Sequence, residues 1–230
     1  MEEQKHYRHE LKYEISKTEY LAMRERLKLI MDHDPHTGED GFYRIRSIYF
    51  DNSEDKALRE KIDGVAKREK FRIRYYNDDL SLLLLEKKMK VNDLCLKTSA
   101  EVSAEECRKL LTGDLTWMRD HPQGLVRELY AKMQYQRLCP RVLVSYVREP
   151  YVYRPGNVRV TFDSLIRTTL YHREFLTEDV WDISATGTPD TMILEVKYDA
   201  YLPEIIQDIV QMNSVRQQAF SKYGSCRRFG

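Results

Sequence analysis

Between Lys70 and Val102 three alternating runs follow one another almost without interruption: KFRIRYY, LLLLEKKMK and LCLKTSAEV. Short polar turns separate them, NDD at Asn77–Asp79 and VND at Val91–Asp93. Connections this short cannot carry a crossover, so three neighbouring strands must run antiparallel. Strand-like runs recur at Tyr7–Ile15, Tyr43–Asp51, Arg141–Pro150, Val158–Asp163 and Met192–Asp199, with a weaker one near Thr168–His172. Helical signals fall between them. Ser16 with Glu19 and Ser103 with Glu106 are capping boxes, and the first opens a helix expected over Lys17–Met31. DNSEDKALREKIDG is a short helix stopped by Gly64, and HPQGLVRELYAKMQYQRL carries another after Pro122. Pro203 suits a first helical position, and a last helix is expected from Ser214 to Tyr223. Eight or nine strands with few βαβ alternations predict an α+β chain: one large antiparallel sheet or barrel with peripheral helices, in a single domain over residues 1–230.

Successive strand side chains point to opposite faces. Sorted by parity, one face of the first strand carries Arg8, Glu10, Lys12 and Glu14, and the third carries Arg72 and Arg74. The fourth groups Glu86, Lys88 and Lys90. Arg148 aligns with Tyr146, Arg159 with Thr161 and Asp163, and Glu195 with Lys197 and Asp199. Each strand alone reads as the solvated face of an ordinary sheet. The set does not, because the polar side chains are mainly Arg, Lys and Glu and not Thr, Ser and Gln. If helices cover the apolar side and the sheet curls, these charges converge. Converging cations need polyanions, and the carboxylates among them need a cation. A triphosphate with a divalent metal meets both demands.

Composition excludes several alternatives. The net charge of the 230 residues is +1, so nothing global attracts nucleic acid or a membrane surface, and the carboxylates on the arginine face also argue against a nucleic-acid partner. The longest purely apolar run is Leu82–Leu85, too short to span a bilayer. Four cysteines without CxxC spacing read as free thiols in a reducing cytosol, so the expected location is cytoplasmic.

The motifs in their order resemble the catalytic domain of the vacuolar transporter chaperone (VTC) family of polyphosphate polymerases. These belong to the triphosphate tunnel metalloenzymes related to the CYTH phosphatases. The resemblance runs through ELKYE (Glu10–Glu14), SIYFDN (Ser47–Asn52), RIRYY (Arg72–Tyr76), LLEKK (Leu84–Lys88), Lys97 in LCLKTS, SYVREPY (Ser145–Tyr151), VRVTFD (Val158–Asp163), ILEVKYD (Ile193–Asp199) and FSKYG (Phe220–Gly224).

This resemblance implies an eight-stranded antiparallel β-barrel around a tunnel. It implies transfer of the γ-phosphate of ATP to a growing inorganic polyphosphate chain with Mn²⁺ or Mg²⁺. The phosphate-binding cations would be Lys12, Arg72, Arg74, Lys88, Lys97, Arg148, Arg159 and Lys222, with Lys197 on the same face. Glu195 would be the principal metal ligand, and Glu10 and Asp163 would assist the metal or orient the cations. CYTH phosphatases open with ExExK, whereas here the register reads Arg8, Glu10, Lys12. The missing first glutamate weighs against simple triphosphate hydrolysis, though that remains the alternative activity, with a non-catalytic polyphosphate- or nucleotide-binding module as a third. Eukaryotic relatives carry an inositol-polyphosphate-sensing domain and a transmembrane region. This chain is expected to be a stand-alone version, and export of polymer would need a separate membrane partner.

Overall fold

The computed structural model describes residues 8–92, 94–169, 172–177, 180–186, 188, 190–211 and 221–227. In chain order its strands are β1 (His9–Ile15), β2 (Asp32–His33), β3 (Tyr43–Asp51), β4 (Lys67–Tyr76), β5 (Asp79–Val91), β6 (Leu94–Val102), β7 (Cys139–Tyr153), β8 (Val158–Thr169), β9 (Ile183–Ser184) and β10 (Met192–Tyr198). The α-helices are α1 (Lys17–Leu27), α2 (Lys56–Ile62), α3 (Ala104–Thr112), α4 (Gly124–Gln136), α5 (Glu204–Val210) and α6 (Lys222–Arg227).

All pairings are antiparallel, and eight strands follow the path β1-β10-β8-β7-β3-β4-β5-β6, with β2 beside β7 and β9 beside β8. The β4–β5 loop is Asn77-Asp78, both with positive φ (51° and 58°). That is what a two-residue type I′ hairpin requires, and Asn and Asp tolerate it well.

The expectation of a barrel needs a correction. Among the described residues the two end strands of the path, β1 and β6, do not form a ladder, and over these residues the sheet is not a closed barrel. They meet through one antiparallel bridge between Arg8 and Cys95, whose backbone groups exchange two hydrogen bonds of 3.2 Å. The sheet therefore curls until its edges touch at one rung.

The helices cover the outer face. Phe71, Ile73 and Tyr75 of β4 and Leu83 and Leu85 of β5 pack against Cys107, Leu110 and Leu111 of α3 and Leu125, Val126 and Leu129 of α4. On the other side Tyr13, Val160, Phe162, Leu194 and Val196 pack against Met23 and Leu27 of α1 and Ile206, Ile209 and Val210 of α5. These strands thus bury apolar parity outward under helices and turn charged parity inward, while Tyr43, Ile45, Val142, Val144, Tyr146 and Ile193, on the inward parity of β3, β7 and β10, pack in a third cluster with Tyr223 and Cys226 of α6.

Several boundaries differ from expectation. Both capping boxes are present, but α1 stops at Leu27, where Met31 N–H closes a turn on the Leu27 carbonyl. The runs Val158–Asp163 and Thr168–His172 belong largely to one long strand, β8, which ends at Thr169. Pro203 caps α5 from outside, with extended ψ of 137°. The helix expected over Ser214–Tyr223 falls mostly outside the described residues, and α6 begins at Lys222.

Candidate functional site

The inward faces enclose a cavity of about 780 Å³. Among the described residues fourteen lysine and arginine side chains line it against four glutamates. The sheet brings Lys12 and Glu10 of β1, Arg72 and Arg74 of β4, Lys88 of β5, Lys97 of β6, Arg148 of β7, Arg159 of β8, and Glu195 and Lys197 of β10 into this one space, and α6 adds Lys222. Asp163 does not line it.

Acidic groups organise the cations in two centres. On the β4–β6 side Glu86, 2% exposed, holds three of them. One carboxylate oxygen accepts from Arg72 (2.8 Å) and Arg74 (3.3 Å), and the other accepts from Lys97 (3.2 Å). On the opposite side Glu195, 5% exposed, is shared by Lys222 (2.8 Å), Lys12 (3.1 Å), Arg148 (3.3 Å) and Lys197 (3.3 Å). Glu10 lies next to it, paired with Lys88 at 2.6 Å and reached by Lys197 at 3.7 Å. Asp163 stands behind this centre with no exposed surface. It grips the Arg148 guanidinium with both oxygens (2.6 and 2.7 Å) and also pairs with Lys222. Arg159 is held by Asp34 and by the Tyr43 hydroxyl (2.9 Å).

Aromatic faces support the same cations. The Tyr49 ring lies against Arg72 and Lys70, and its hydroxyl oxygen accepts from Arg72 (2.9 Å). Tyr146 lies under Arg148 and Lys222.

These groupings decide the charge states. Burial alone would raise the Glu195 carboxyl, but Lys12, Lys222, Lys197 and Arg148 hold it well below the usual range. Burial opposes ionisation of Glu10 and Glu86 too. Lys12, Lys88 and Lys197 overcome it at Glu10, and Arg72, Arg74 and Lys97 at Glu86, so both stay ionised. Lys197 is pulled down to about 8 by burial, against the pull of Glu195 and Glu10.

A divalent cation fits part of this donor set. Among the described residues no three His, Cys, Asp or Glu side chains gather so as to hold a metal alone. Glu195 and Glu10 share Lys12 and Lys197 between them. A pair of carboxylates suits Mg²⁺ or Mn²⁺ completed by phosphate oxygens. Asp163 does not fit as a ligand, because it has no exposed surface and does not line the cavity that Glu195 and Glu10 face. Its place is to position Arg148 and Lys222.

Sequence reasoning passed over Glu86, Lys70 and Arg68. Parity put Glu86 on the right face, but only its three partners reveal it as a centre. Lys70 and Arg68 share the inward parity of Arg72, yet the strand was expected to begin at Lys70, whereas β4 begins at Lys67.

The profile of the VTC domain matches residues 7–229. The chain belongs to the VTC domain family. Two solved structures share its fold. One is an adenylate cyclase candidate from Bacillus halodurans, 16% identical, with TM-score 0.51, covering 90% of this chain and 87% of the other. The other is the Hippeastrum adenylyl cyclase candidate HpAC1, described as having dominant triphosphatase activity, 11% identical, with TM-score 0.57 over 97% and 95%. No curated protein sequence matches. In this VTC domain Arg8 pairs with Asp199 at 3.0 Å and bridges to β6. No helix among the described residues is long and apolar enough to cross a membrane.

Proposed function

We propose that this VTC domain is an ATP-dependent polyphosphate polymerase. The observation that carries this reading is the surplus of cations in the cavity, fourteen against four glutamates among the described residues. A triphosphate carrying a divalent metal needs only a few positive charges, and a chain with a charge on every phosphate needs many.

The reaction joins a terminal phosphate oxygen of the chain to the γ-phosphorus of ATP. The bond from that phosphorus to the β,γ-bridging oxygen breaks, and ADP leaves. The attacking oxygen is already anionic, so no strong general base is required. The protein's work is placement and charge stabilisation. Arg72 and Arg74, fixed by Glu86, present planar forks to phosphate oxygens. Arg148, locked by Asp163, does the same from across the cavity, and Lys12, Lys88, Lys97, Lys197 and Lys222 act as point charges. Glu195 and Glu10 would hold Mn²⁺ or Mg²⁺ with the phosphates, and the metal would supply neutralisation of charge on their oxygens. Lys12 and Lys197, paired with these two carboxylates in the structure, would exchange them for phosphate oxygens of the bound chain.

The test is incubation of the purified protein with ATP and Mn²⁺ or Mg²⁺, with chain growth and orthophosphate followed together. Long polyphosphate is expected from the wild type, and none from Arg72→Ala or Glu195→Gln. Orthophosphate release without chain growth would replace this reading with a triphosphatase. Tight anion binding without turnover would reduce the domain to a binding module.

A further inference from the structure

Strand β4 carries inward cations at four alternate positions, Arg68, Lys70, Arg72 and Arg74, and all four line the cavity. At about 3.4 Å per residue they span roughly 20 Å, well beyond the reach of one triphosphate. The four are not equivalent. Glu86 balances Arg72 and Arg74. Among the described residues neither Lys70 nor Arg68 has a carboxylate partner. Arg68 donates to the Val65 carbonyl (2.7 Å), and the Lys70 ammonium lies over the Tyr49 ring at 5.5 Å. Across the sheet Lys70 faces Lys88, which in turn faces Lys97, so three lysines occupy one rung. Lys88 and Lys97 are neutralised by Glu10 and Glu86. Lys70 is left as the rung's uncompensated cation.

We propose that Lys70, with Arg68 beyond it, binds the phosphates of a long chain that extend past the grip of Arg72 and Arg74, and so sets the preference for polyphosphate over triphosphate. This rests on the polyphosphate reading above. The surroundings agree. Burial, Lys88 of β5, Lys12 of β1 and Arg72 of its own strand all depress the Lys70 amine, and Glu10 of β1 opposes them without reversing the shift. A phosphate arriving there supplies the missing negative charge, so chain binding should draw a proton onto Lys70.

The experiment is calorimetric titration of tripolyphosphate and of long-chain polyphosphate into wild type, Lys70→Ala and Lys70→Arg, each in two buffers of different ionisation enthalpy. Wild type should favour the long chain and take up protons on binding it. Lys70→Ala should lose about tenfold more affinity for the long chain than for tripolyphosphate. Lys70→Arg should restore that preference without the extra proton uptake, since its guanidinium is always charged. Tripolyphosphate binding by Lys70→Ala also shows that the variant is folded. Equal losses for both ligands, or none for either, would overturn the proposal while leaving the polyphosphate reading in place. A wild type that binds both ligands alike would remove the polyphosphate reading, and this proposal with it.

Discussion

Glu86 shows how much a single acid can organise. It holds Arg72, Arg74 and Lys97 while 2% exposed. Removing its charge leaves three close cations without their counter-charge. Glu86→Gln should therefore cost about 3–5 kcal/mol in denaturant unfolding, the usual penalty for breaking a buried pair. Saturating tripolyphosphate should recover part of that loss, because the anion takes the acid's place. An equal loss with and without the anion would mean that these cations do not face the ligand. Acid should act in the same direction. Glu10, Glu86, Asp163 and Glu195 are all held below their ordinary values by neighbouring cations, against the opposing effect of burial. Carboxyls depressed in the folded state stabilise it above the unfolded value near 4.3 and lose that contribution as pH falls. Melting temperature should drop steeply below about pH 4.5, and less steeply in Glu86→Gln. Alternation alone placed Glu86 with Lys88 and Lys90, and Arg72 with Arg74, because a strand's parity is visible in its sequence. It could not show which cations share which acid. Asp163 was therefore expected either to assist the metal or to orient the cations, and its oxygens are taken by Arg148 and Lys222.

At the scale of elements, Lys222 depends on a helix too short to stand alone. α6 has six residues, and its place in the fold comes from side-chain ties. The Tyr223 hydroxyl donates to buried Asp51 at 2.5 Å, and Arg227 pairs with Asp55 at 2.9 Å. Asp51 also accepts the first-turn N–H groups of Ala57 and Leu58 in α2. One carboxylate thus joins β3, α2 and α6, which accounts physically for the aspartate of SIYFDN. Asp51→Ala would leave several buried donors unsatisfied and should cost about 2–3 kcal/mol. It should also weaken tripolyphosphate binding, through the misplaced Lys222. Tyr223→Phe should cost about 1 kcal/mol and spare more of the binding. Denaturation and titration of the two variants together check this; unchanged binding in Asp51→Ala would detach α6 from the site. The capping boxes were legible because they are local. The Asp51–Tyr223 tie spans 172 residues, and no local pattern announces it.

At the scale of the molecule, the inward convergence of charge follows from the outward burial of apolar parity under α1 and α3–α5. Parity and helix count made that much legible. The completeness of closure was not, because register between the two ends of the path is set by accumulated twist and tilt rather than by any motif. The edges meet at Arg8 and Cys95, which exchange both backbone hydrogen bonds. In such a pair the Cα atoms stand about 5.5 Å apart, within the range a disulfide tolerates. Cys95 is a free thiol. Arg8→Cys should therefore form a disulfide with it under mild oxidation, identifiable as a linked peptide by mass spectrometry. Cross-links of this kind typically add about 2–4 kcal/mol, roughly 4–16 °C in melting temperature for a chain of this size, and a reductant should reverse the gain. Because the bridge lies at the edge of the cavity and not across it, the oxidised variant should still bind tripolyphosphate. If no link forms while Cys95 stays reactive, the edges do not meet at this rung, and the cavity is an open trough instead of a tunnel.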